Sequence, residues 1–135
     1  MMSNAFYTLK LTFVSLFLLF VTSSNAQTES GFFNALKNND ASGLQMYLQD
    51  QVDLCIIDNQ QILLKKVALD KISDFLSTNK ITNIEVMHKG ASKDKSSQYK
   101  VAKITTSNGP FRFFVYSTSQ EMGPKSVKEI RIDKF

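Results

Sequence analysis

The sequence predicts an α+β fold, with N-terminal helices packed on an antiparallel sheet. Three observations carry that prediction. Helical spacing of apolar residues is confined to the chain before Lys80. Beyond Lys80, apolar and polar residues alternate as they do in strands. Asn108-Gly109 stands between two such runs, which is a strong short hairpin signal. Helices and strands that are segregated along the chain mark α+β rather than a parallel βαβ fold.

Each element has its own signal. Phe32, Phe33 and Leu36 form one apolar stripe at helical spacing. Asp40 is placed to cap a second short helix, with Leu44, Tyr47 and Leu48 on its inner face. Val52, Leu54 and Ile56 alternate in a strand that ends at Asp58-Asn59, and a short extended piece follows at Ile62 to Leu64. Leu69, Ile72, Phe75 and Leu76 then make a third helix that stops near Asn79. Ile84 and Val86 open a run of about four strands, which ends in VKEIRIDKF with Ile130 and Ile132 on one face.

Residues 1–26 have the parts of a cleavable secretory signal. Lys10 is the one charge, Leu11 to Val21 is apolar apart from Thr12 and Ser15, and the small residues Ser24 and Ala26 precede Gln27. The apolar stretch is well short of the ~20 residues a spanning helix needs. Residues 27–135 are then a single exported domain, periplasmic or extracellular, with no membrane span of its own. The formal net charge is +4 and the basic residues are scattered. A nucleic-acid binder concentrates them on one face, so no nucleic-acid partner is expected. The single cysteine, Cys55, lies in the apolar run VDLCIID and reads as a buried thiol.

Pairing outward from Asn108 and Gly109 as the turn residues sets Thr106 against Phe111, Ile104 against Phe113 and Ala102 against Val115. These six should pack on the helices. The other side then carries Tyr99, Val101, Lys103, Thr105, Arg112, Phe114 and Tyr116. Aromatics and cations together do not suit a solvent-facing sheet, because contiguous apolar patches mark interaction sites. This side is expected to bind a partner or ligand, most simply a second copy in a homodimer. The alternatives are cover by the chain's own termini or loops, or a register slip of one residue, which would exchange the faces.

The stretches FFNALKNNDASGLQMYLQDQVDLCIID, VMHKGASKDKSSQYKVAKITTSNGPFRFFV and VKEIRIDKF resemble a family of short exported Bacteroidota proteins of unknown function, over nearly all of residues 30–134. Helices wrapped by a curved antiparallel sheet also resemble the nuclear transport factor 2-like, or cystatin-like, cone. The resemblance implies a cone with an interior pocket, often dimerised through its sheet. It implies no activity, because that fold serves enzymes and scaffolds alike.

The residues give little chemistry to set beside it. His88, the only histidine, continues the phase of Ile84 and Val86 toward the helix side and is the one weak catalytic candidate. Asp53 and Asp58 fall on opposite faces of a regular strand. Asp70 and Asp74 share an exposed helix face. Lys103 and Arg112 read as a diagonal cross-strand pair, and Gly90 and Gly109 as turn glycines. No metal site, cofactor or phosphate-binding loop is indicated. The leading expectation is a noncatalytic binding domain, a homodimer in solution, with room for a small ligand in the cone. The rival is a small cone-pocket enzyme of isomerase, dehydratase or hydrolase type using His88.

Overall fold

The computed structural model describes residues 27–119 and 124–135, with side chains from residue 31 onward. Residues 1–26, expected from the sequence to be a secretory signal, and most of the loop before the last strand lie outside the described residues. The elements run α1 (Gln27–Lys37), a 3-10 turn (Ser42–Tyr47), β1 (Leu48–Ile56), β2 (Asn59–Leu64), α2 (Lys65–Thr78), β3 (Ile81–Ala91), β4 (Ser97–Thr106), β5 (Gly109–Ser119) and β6 (Lys125–Lys134). The strands form one curved, unclosed sheet in the order β2-β1-β6-β5-β4-β3. Every neighbouring pair is antiparallel except β1 and β6, which run parallel. No helix among the described residues is long and apolar enough to cross a membrane.

Local chemistry starts and stops these elements. The Asp40 carboxylate accepts hydrogen bonds from the Gly43 amide (2.9 Å) and the Ser42 hydroxyl (2.8 Å) and so nucleates the 3-10 turn. The same two donors, the Gly43 amide first, hold its carboxyl below the ordinary carboxylate value. The turn is shorter than the helix expected there, and Leu48 opens β1 instead of closing a helical face. At the end of α2, the Asn79 amide and side chain both donate to the Phe75 carbonyl. Asn39, in the left-handed region at φ 55°, uses its side-chain amide to bond both the N–H (2.8 Å) and the C=O (3.1 Å) of Ile81. That contact begins β3.

The β4–β5 hairpin corrects the expected register. Ser107 and Asn108 make the turn, and Gly109 follows at φ +103°. This is a turn with an αL glycine after it, not a two-residue Asn-Gly loop. The Thr106 hydroxyl accepts from the Asn108 amide and donates to the Gly109 carbonyl, which holds the turn one residue earlier than expected. The pairs become Ile104–Phe111 and Ala102–Phe113. The slip is two residues along the partner strand, so the side chains keep their faces.

The helix side of the sheet is therefore the core. Ala102, Ile104, Phe113 and Val115 join Val52, Leu54, Ile130 and Ile132 beneath Phe32, Leu36, Ile72 and Leu76, all buried. Phe75 of α2 meets Phe111 edge-on at 5.1 Å and Phe113 at 6.1 Å. These rings fill the middle of the cone.

Candidate functional site

The outer face of the sheet gathers the residues that the sequence set apart. Directly paired residues point the same way, so the register builds this face row by row. One row runs Glu85–Lys103–Arg112–Asp133 across β3 to β6. The next runs His88–Val101–Phe114–Arg131–Cys55–Gln60. A third runs Gly90–Tyr99–Tyr116–Glu129–Asp53–Ile62. Tyr99, Val101, Lys103, Arg112, Phe114 and Tyr116 are thus brought together on one surface.

Aromatic chemistry occupies the middle of that surface. Tyr99 stacks on Phe114 with ring centres 6.0 Å apart and planes 26° from parallel. Tyr99 stays 40% exposed, while Val101, Phe114 and Tyr116 are half-buried. Gly90 lies within β3 rather than in a turn, with an ordinary strand backbone. It is there because the Tyr99 ring lies over it: a Cβ at 90 would stand 2.5 Å from Tyr99 Cε1. An aromatic ring covering a strand glycine is a known sheet device.

Lys103 and Arg112 stand directly opposite each other, not diagonally, because of the changed register. Like charges in that position repel. Glu85 and Asp133, one strand farther out on either side, offset the repulsion. Phe135 does so from above, with Lys103 Nζ 4.7 Å and Arg112 Cζ 5.5 Å from its ring centre. Phe135 thus shelters the charged end of the face, and among the described residues Tyr99 at its aromatic end stays exposed. Sequence reasoning missed Phe135. Its partners come from two other strands, and no local pattern links them.

His88 is not on the helix side. The β3–β4 register shifts between Val86, paired with Ala102, and His88, paired with Val101. This bulge at Met87 inserts one residue and reverses the parity of everything after it. His88 therefore stands exposed on the outer face, outside the cone. Among the described residues it has no hydrogen-bond or ion-pair partner to orient it as a base. Asp53 instead accepts two bonds from the Gln60 side chain (3.0 and 3.1 Å), and Asp58 sits in a turn, so the two do not act together. Cys55 is buried and unpaired, on the outer side beside Arg131. Among the described residues no three His, Cys, Asp or Glu side chains converge as a metal set.

Two clefts lie at the β1–β2 end of the sheet, the first on its helix side and the second on its outer side. One, of about 350 Å³, opens between α2 and the β1–β2 hairpin. Leu54, Ile56 and Phe75 line its floor, with Asn59, Gln61, Lys71 and Asp74 at the rim. The other, of about 790 Å³, is an open groove where β1 bows away from β6. Gln49, Asp50 and Gln51 line it opposite Lys128, and Gln49 reaches across to the Thr118 hydroxyl at 2.8 Å.

Solved structures share this fold. A DUF4783 family protein from Bacteroides uniformis is 28% identical and superposes with a TM-score of 0.72, over 78% of this chain and 95% of that one. One from Bacteroides ovatus is 27% identical with a TM-score of 0.71, over 78% and 93%. An NTF2-like protein of unknown function in nutrient uptake from Rhodospirillum rubrum is 15% identical with a TM-score of 0.60, over 84% and 99%, a likeness of fold alone. No curated protein matches the chain. The model of the DUF4783 family, a domain of unknown function, matches residues 30–133.

Proposed function

We propose that this chain, which belongs to the DUF4783 family, is an exported, noncatalytic binding domain that forms a homodimer through the outer face of its sheet. The observation that carries this reading is the open Tyr99–Phe114 stack with Val101 and Tyr116 beside it. Aromatic rings in such a position supply large contact area at low entropy cost, and they are enriched at interfaces. Residues 1–26 direct export and are removed, so the exported chain begins at Gln27.

The test is the mass of the native protein. Phe114→Glu puts a charge in the middle of the face and should lower the mass in light scattering while the circular dichroism spectrum is unchanged. Tyr99→Lys, at a more exposed position, should do the same if Phe114→Glu fails to fold. An unchanged mass in a folded variant rejects the face as an interface. Terminal sequencing of the exported protein that returns Met1 rejects the leader.

A second reading concerns the cleft beside Phe75. An apolar floor with a polar rim, in a volume at the low end of known ligand sites, suits a small amphipathic molecule at the mouth of the cone. Anilinonaphthalene sulfonate should fluoresce on binding there, and Gln61→Trp should fill the cleft and abolish the signal. The enzyme reading finds no support, because its one histidine lies outside the cone.

A further inference from the structure

Asn108-Gly109 is the one Asn-Gly pair in the chain, and Asn108 stands exposed in its turn. Asparagine is chemically labile. The backbone nitrogen of the next residue can attack its side-chain carbonyl carbon, and a glycine there offers no side chain to hinder the approach. Space is open as well, since a Cβ at 109 would meet nothing within 4 Å. By sequence, Asn108 is the asparagine most prone to lose its amide.

The tertiary structure holds that amide in place. Asn108 Nδ2 donates to the Thr78 carbonyl at 2.7 Å and to Asn79 Oδ1 at 3.1 Å. Asn79 is anchored in turn, because its own Nδ2 donates to the Phe75 carbonyl at 3.0 Å and leaves Oδ1 for Asn108. The Asn108 backbone amide donates to the Thr106 hydroxyl at 3.1 Å. Cyclisation needs the side-chain carbon to swing onto the Gly109 nitrogen and the turn to close into a five-membered ring. Both side-chain bonds must break first. We propose that Asn108 is a latent deamidation site, that the end of α2 keeps it closed, and that its conversion uncouples the hairpin from the helix for good.

The chemistry uses only water and hydroxide. The Gly109 nitrogen gives its proton to hydroxide and bonds to Asn108 Cγ. The Cγ–Nδ2 bond breaks, and the nitrogen leaves as ammonia with a proton taken from water. Water then opens the succinimide at either carbonyl, to aspartate or to isoaspartate. Either product carries a carboxylate where the amide stood. A carboxylate only accepts, and the Thr78 carbonyl and Asn79 Oδ1 are acceptors too. Asn79 can donate to it only by giving up Phe75. The tie therefore cannot reform, and isoaspartate also lengthens the backbone at the turn.

The folded rate follows the fraction of time the turn is open. Two ordinary hydrogen bonds close it by roughly thirtyfold, and one alone by about fivefold. Peptide mapping at mildly alkaline pH, with isoaspartate at residue 108 as the readout, should find conversion roughly thirtyfold slower in the folded chain than in guanidinium chloride. Asn79→Ala leaves the Asn-Gly pair and the Thr78 bond intact. It should raise the folded rate about fivefold and leave the denatured rate unchanged. Equal folded and denatured rates, or a folded rate indifferent to Asn79→Ala, would overturn the guard. Asn108→Asp stands in for the aspartate product. It should unfold at lower urea than the native chain, and Asn79→Ala should cost less in that background than in the native one. An Asn108→Asp chain as stable as the native, or an undiminished cost of Asn79→Ala, would overturn the uncoupling.

Discussion

Replacing Gly90 by alanine should have opposite effects on stability depending on whether residue 99 is tyrosine. In the native chain the new Cβ would lie 2.5 Å from Tyr99 Cε1 and 2.9 Å from Cζ, closer than real contacts allow. The ring is 40% exposed, so it can swing away rather than distort the backbone. Swinging away sacrifices the 6.0 Å stack on Phe114, worth about 0.5–1.5 kcal/mol. Against that, alanine in a strand is favoured over glycine by roughly 0.5–1 kcal/mol. The two nearly cancel, so Gly90→Ala alone should change folding stability by less than about 1 kcal/mol. In a Tyr99→Ala background the clash and the stack are both gone and only the backbone gain is left. There Gly90→Ala should stabilise by roughly 0.5–1 kcal/mol. Urea unfolding of the four chains, with slopes that agree, gives the coupling directly. An equal effect of Gly90→Ala in both backgrounds would refute the argument that glycine is there for the ring.

Two further predictions concern loops. Asn108 donates from its side chain to the Thr78 carbonyl (2.7 Å) and to Asn79 Oδ1 (3.1 Å), tying the β4–β5 turn to the end of α2. Asn108→Ala should cost about 1 kcal/mol in chemical denaturation, because the Thr78 carbonyl at a helix end loses its partner; a cost of nothing measurable would deny the tie. Asp94 accepts from the Ser92 and Ser96 hydroxyls and the Ser96 amide, which lower its carboxyl from the ordinary 3.8 to about 2. The unfolded chain therefore takes up this proton first as pH falls. The Asp94 contribution is whole above the ordinary value and is lost as pH descends toward 2. Its carboxyl carbon should titrate near 2 by NMR. Asp94→Asn should flatten the acid dependence of the loop, and a titration midpoint near 4 would remove the basis of this prediction.

Much of the outer face was legible in the sequence for one reason: strand side chains alternate with a period of two. The expected β4–β5 pairing was wrong by two residues, yet Ile104, Phe111, Phe113 and Val115 still fell on the core side. A shift of two preserves parity. His88 was misplaced by the opposite circumstance. One extra residue at Met87 reverses parity, and nothing in IEVMHKG announces a bulge. Lys103 and Arg112 shared a face as expected, but whether they stood opposite or diagonal depended on which residues made the turn.

The sequence by itself determined the helix and strand segments, the apolar side of each and the aromatic character of the outer face. Those properties reside in short-range periodicity and side-chain chemistry, which any stretch of chain carries alone. Only the tertiary structure decided that β6 lies parallel to β1, that Phe135 caps Lys103 and Arg112, that Gly90 makes room for Tyr99, and that β2 is left as an open edge. Each of these joins residues distant in sequence. What holds them is register and packing, and those exist only once the strands have chosen their neighbours.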